Sequence, residues 1–156
     1  MARFNLDDYE TVESRIKKFY ELYPDGRIVT ECVVAGQDGT WLFKAFIYLT
    51  AGDQAVGLPK ATGYASEKEG GPQTDWKAEL GETSSIGRAL ANMNLSGNKR
   101  ASREEMQKVI SHDWIERAMQ LQTIEELREL YTQARANNAP AEILQKLKDF
   151  ADRFGK

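Results

Sequence analysis

The run RIVTECVVAG (27–36), the turn Gln37-Asp38-Gly39 and the run TWLFKAFIYLT (40–50) constrain this chain more than any other feature. Both runs are rich in β-branched and aromatic residues, and an Asp-Gly pair between such runs signals a β-hairpin. Side chains alternate across a strand. Trp41, Phe43, Ala45, Ile47 and Leu49 therefore share one face, wholly apolar, which another layer must cover. The opposite face carries Leu42, Lys44, Phe46, Tyr48 and Thr50, where aromatic rings sit beside a lysine.

A turn at Ala51-Gly52-Asp53 leads to a third strand, roughly Leu58 to Glu67. It places Lys60, Thr62, Tyr64, Ser66 and Lys68 on one face and the small residues Ala61, Gly63 and Ala65 on the other. Upstream, Val12, Ile16, Phe19, Tyr20 and Tyr23 recur at helical spacing over 8–23, and Pro24-Asp25-Gly26 ends that helix. EKEGGPQT (67–74) reads as a mobile loop. Residues 75–95 form a second helix with apolar positions Trp76, Leu80, Ile86, Leu90 and Met93. A glycine within a helix costs about 1 kcal/mol relative to alanine. Gly81 and Gly87, with small neighbours between them, offset that cost if they let the helix lie close to the Gly63/Ala65 face. The order α-β-β-β-α predicts an α+β core, a three-stranded antiparallel sheet backed by helices.

The last third is helical. SREE (102–105) and TIEE (123–126) are capping-box patterns, and Pro140 suits the first turn of a further helix. Three helices are expected near 103–120, 124–136 and 141–154. Their apolar faces draw on Trp114, Ile115, Met119, Leu127, Leu130, Tyr131, Ile143, Leu147, Phe150 and Phe154. The expected division is a core over 1–101 and a C-terminal helical bundle over 102–156, with SGNKRAS (96–102) as the joint.

The chain has 156 residues, and its net charge of −3 does not by itself point to nucleic acid. A single cysteine, Cys32, excludes an internal disulfide, and with His112 the only histidine a zinc site has too few ligands. MARFNLDDYE lacks the apolar core of a signal peptide, and no apolar run approaches the roughly 20 residues that span a bilayer. A soluble cytoplasmic protein without cofactor is expected.

If the polar faces align, Lys44, Tyr48, Lys60 and Tyr64 meet on one side of the sheet. Cations interleaved with rings suit single-stranded nucleic acid, because cations meet phosphates and rings stack on bases. The plainer reading is that tyrosines and lysines are ordinary strand residues with polar tips. Arg88 can reach a phosphate or pair with a carboxylate such as Glu82. Lys99 and Arg100, in the flexible loop SGNKR, can clamp phosphate or form a solvated linker. Glu79 and Glu82 are close enough on one helix to raise a metal-dependent nuclease, without further acids at matching spacing to support it.

GYASE in the third strand and ETSSIGRALANMNL in the helix resemble phage single-strand annealing proteins of the Erf/Sak/Redβ-like recombination superfamily. SRIKKFYELYPDGRIVTECV resembles the start of such proteins, and the likeness covers roughly residues 9–103. The resemblance implies a non-enzymatic protein of DNA recombination and repair. It would assemble into rings or helical filaments, bind single-stranded DNA in a basic groove and anneal complementary strands without ATP. By position the groove would draw on Lys60, Arg88, Lys99 and Arg100. If phage-encoded, the protein would act in the host bacterial cytoplasm. The acidic balance departs from a strongly basic groove. The same resemblance gives the helical tail a partner exonuclease or a host single-strand-binding protein; otherwise the tail completes the core or the subunit contact. A non-annealing accessory or regulatory interaction protein on the same fold is the alternative.

Overall fold

The computed structural model describes residues 6–68, 76–97 and 99–154, without the side chains of 152 and 153. The chain forms two compact units, 1–106 and 107–156, somewhat past the sequence-based boundary at 101.

In the first unit, helix α1 (Val12–Leu22) starts at Thr11, whose hydroxyl accepts from the Ser14 amide at 3.2 Å. Val12 and Phe19 are buried, Ile16 and Tyr23 half-buried. Tyr20, expected on the same face, is exposed, and Arg15 takes the inward position instead.

Strands β1 (Arg27–Gln37) and β2 (Thr40–Tyr48) are joined by Asp38 and Gly39, at φ 51° and 69°. Two positive φ values in a two-residue turn are the type I′ geometry that matches strand twist. Strand β3 (Ala61–Lys68) completes an antiparallel sheet of order β1-β2-β3. The expected turn at 51–53 is instead a short helix, α2 (Ala51–Ala55), started by a capping box between Thr50 and Asp53. That helix delays β3, so Leu58 and Lys60 precede the strand. Of the loop read over 67–74, Glu67 and Lys68 belong to β3 and the rest lies outside the described residues.

Helix α3 (Lys77–Asn92) covers the apolar sheet face. Ala45, Ile47, Ala89, Leu90 and Phe19 are buried in one cluster, with Ile86, Leu49 and Met93 at its margin. Trp76, expected in the core, flanks the helix start and is 63% exposed.

The small residues work differently from the expectation. Gly63 makes the close backbone approach of strand to helix: a Cβ there would lie 2.4 Å from both the Ser85 carbonyl oxygen and the Ala89 amide nitrogen. Gly81 faces the Phe43 ring, and Gly87 faces Val12 of α1, with a hypothetical Cβ 2.7 Å from the valine methyl. The helical glycines thus make room for side chains of two other elements. Gly87→Leu is expected to lower stability by about 1–3 kcal/mol through overpacking against Val12. An unchanged thermal midpoint would show that α1 yields without strain.

Helix α4 (Arg103–Gln120) begins with the expected capping box: the Glu105 amide donates to Ser102 Oγ at 3.2 Å, and Glu105 accepts from the Ser102 amide at 3.0 Å. In the second unit, the rest of α4 joins α5 (Ile124–Ala136), α6 (Ala141–Asp149) and a 3-10 turn (Phe150–Arg153). Trp114, Leu127, Leu130, Ile143, Leu147 and Phe150 form its buried core. Met119 is exposed, and Ala118 occupies the inward place one residue earlier. The Thr123–Glu126 capping box is present, and hydrogen bonds from the Gln122 amide and from Thr123 hold the Glu126 carboxyl below the usual range. Among the described residues no helix is long and apolar enough to cross a membrane.

Candidate nucleic-acid interface

The register sets Lys44 of β2 opposite Tyr64 of β3 and opposite Glu31 of β1. All three lie on the sheet face turned away from α3, because Ala45 and Gly63, their neighbours along the strands, face that helix. The Lys44 ammonium sits 4.5 Å from the Phe46 ring centre and 5.0 Å from that of Tyr64. Phe46 in turn stacks on Tyr48, with ring centres 6.5 Å apart and planes within 15°. The result is a row of three rings with one cation among them. A cation over an aromatic face is held by the ring quadrupole, by about 0.5–1 kcal/mol at exposed sites.

The members differ in access. Tyr64 is 49% exposed, Lys44 and Phe46 are half-buried, and Tyr48 is only 9% exposed. Tyr48 therefore supports Phe46 more than it offers a surface of its own. Phe46, outside the expected site set, is the ring that joins the others. Its place on the polar face was legible from alternation. Lys60 is exposed just before β3, and its amide donates to the Ile47 carbonyl at 2.7 Å.

Arg88 and Arg100 lie along the outer edge of β3. Arg88 donates from Nη1 to the Tyr64 carbonyl at 2.9 Å and from Nε to Glu105 at 2.6 Å. Its carboxylate partner is thus Glu105, not Glu82, which accepts from the Thr30 hydroxyl at 2.5 Å and ties α3 to β1. Asn92 donates to the Thr62 carbonyl at 2.6 Å and accepts from Arg100. Tyr64, Arg88, Asn92, Arg100 and Glu105 line an open cleft of about 460 Å³. Tyr64 belongs to the row of rings and is also among the residues lining this cleft. Lys99 stands apart, its ammonium 5.5 Å from the Tyr9 ring centre.

The backbone at Lys99 and Ala101 is tied to α1. Arg15, fully buried, donates to the Lys99 carbonyl at 3.2 Å, the Ala101 carbonyl at 2.9 Å and the Gly87 carbonyl at 3.0 Å. Burial pulls the Arg15 pKa below its ordinary value, against the opposing fields of Glu10, Glu105 and Glu104. The Arg103 amide donates to the Glu10 carbonyl at 2.9 Å, and Glu104 accepts from the Val12 amide, closing the chain onto the start of α1. Asn98 of this loop lies outside the described residues.

The acidic neighbours shape the electrostatics. Glu105 offsets Arg88, and Glu31 faces Lys44, so the cations most available to an incoming anion are Lys60, Lys99 and Arg100. Among the described residues no group of three or more His, Cys, Asp or Glu could hold a metal ion. Comparison with protein families, curated proteins and solved structures finds no match for this chain.

Proposed function

We propose that this protein binds single-stranded DNA as a homo-oligomer and anneals complementary strands without ATP, acting in recombination. The observation that carries this reading is Lys44 lying between the rings of Phe46 and Tyr64 on the sheet face away from α3. Tyr64 offers a ring to a base, while Arg100 at the edge of the cleft and Lys60 beside the strand offer cations to neighbouring phosphates. Such a surface reads no sequence, since it presents π-faces and charges but no element shaped to base edges. The helical unit is the place for a partner protein such as an exonuclease or a host single-strand-binding protein.

The test is fluorescence anisotropy with a labelled oligonucleotide, followed by annealing of complementary strands. Affinity should fall steadily with added salt through counterion release. Lys44→Glu with Tyr64→Ala should weaken binding at least roughly tenfold, since one stacked base alone is worth about 1–3 kcal/mol. Both side chains are away from the α3 face, so the far-ultraviolet spectrum should not change. Binding that is indifferent to salt and to the double substitution would remove this surface from consideration. Binding without annealing would leave an accessory module.

A further inference from the structure

The two edges of the sheet are treated differently. On β3 the outward carbonyls of Thr62 and Tyr64 are occupied by Asn92 and Arg88. Thr62 pairs with Phe46 and Tyr64 with Lys44. Backbone groups alternate in direction along an antiparallel strand, so Phe46 and Lys44 turn theirs toward β1. Their partners there, Val29 and Glu31, point inward, which leaves the amides and carbonyls of Ile28 and Thr30 pointing out. Among the described residues, no hydrogen bond reaches those outward groups. The first bulge in β1 comes only after Cys32, so 27–32 is a regular edge, the kind that pairs with another strand unless blocked.

We infer that this edge is a self-association surface on which β1 of a second copy pairs antiparallel about a two-fold axis at Val29. In that register Ile28 and Thr30 exchange backbone hydrogen bonds with Thr30 and Ile28 of the other copy. Arg27 then lies opposite Glu31 of the other copy, twice, and both are exposed. Opposite charges placed directly across a strand pair stabilise it, and like charges oppose it. The blocked β3 edge disfavours the head-to-tail alternative, β1 against β3 of the next copy, which would propagate a ring or filament through the sheet. The result is one six-stranded sheet with two rows of rings on the same side. This inference does not rest on the nucleic-acid reading.

The experiment is sedimentation equilibrium of the full chain without oligonucleotide. The wild type is expected at twice the 17.6 kDa chain mass. Arg27→Glu sets Glu against Glu31 at both ends and should raise the dissociation constant about tenfold. Adding Glu31→Arg to the same chain should restore association. Val29→Lys brings two ammonium groups together on the axis and should give a monomer. A wild type of single-chain mass across the accessible concentration range overturns the inference. So does an assembly that none of the substitutions changes.

Discussion

Gly63→Ala should lower the stability of the first unit by about 3 kcal/mol, the upper end of the usual cost of overpacking. The added methyl would meet the Ser85 carbonyl oxygen and the Ala89 amide nitrogen at 2.4 Å, and the Ala89 Cα at 3.0 Å. These atoms belong to a helix backbone, which cannot rotate aside as a side-chain tip can. The whole of α3 would have to lift from β3, and the buried contacts of Ala45, Ile47 and Leu90 would loosen with it. The natural comparison is Gly57→Ala. Nothing lies within 4 Å of a Cβ at Gly57, but its φ is +68°, so alanine there costs about 1–2 kcal/mol of backbone strain alone. Chemical denaturation followed by circular dichroism should rank Gly63→Ala below Gly57→Ala. The reverse order would mean that α3 and β3 are less tightly apposed than the distances imply.

Arg15→Met should be as damaging, at about 3 kcal/mol, with a midpoint roughly 12 °C lower or more. Methionine fills much of the volume but donates nothing. The carbonyls of Gly87, Lys99 and Ala101 would lose their common donor, and Glu10, Glu104 and Glu105 would lose the nearby positive charge. An unsatisfied buried acceptor costs about 1–3 kcal/mol. The loop carrying Lys99 and Arg100 would lose its anchor, so oligonucleotide affinity should fall further than in a Lys99→Ala variant. Arg15→Lys keeps the charge and should recover part of the stability. It lacks the planar fork that reaches three carbonyls, so recovery should be incomplete. A fully stable Arg15→Met protein would show that the three carbonyls find other donors at no cost.

The features legible in the sequence share one property: their determinants lie within a few residues of one another. The Asp38-Gly39 turn, the capping boxes at Ser102 and Thr123, and the alternation along β2 are local geometry, so residue type and spacing suffice. The same alternation placed Lys44 and Tyr64 on one face, because the hairpin and the following strand leave little freedom of register once one face must be apolar.

Other features were decided by partners far along the chain. Arg15 sits on α1 where a charged residue normally meets water, yet its carbonyl partners lie 72, 84 and 86 residues away. Burial becomes tolerable only when all three converge. Gly81 and Gly87 read as contact points of a helix on a strand, but only packing shows that they accommodate Phe43 and Val12, while Gly63 meets the helix. Arg88 read as a free cation or a partner of Glu82, and the fold brings Glu105 to it instead. The sequence alone determined the three strands, the long helices and which faces must be covered, since those follow from backbone geometry and apolar periodicity, while the short helix α2 read only as a turn. The tertiary structure alone decided which charges are neutralised, which rings are reachable and which sheet edge is left unpaired, since each depends on the convergence of distant segments.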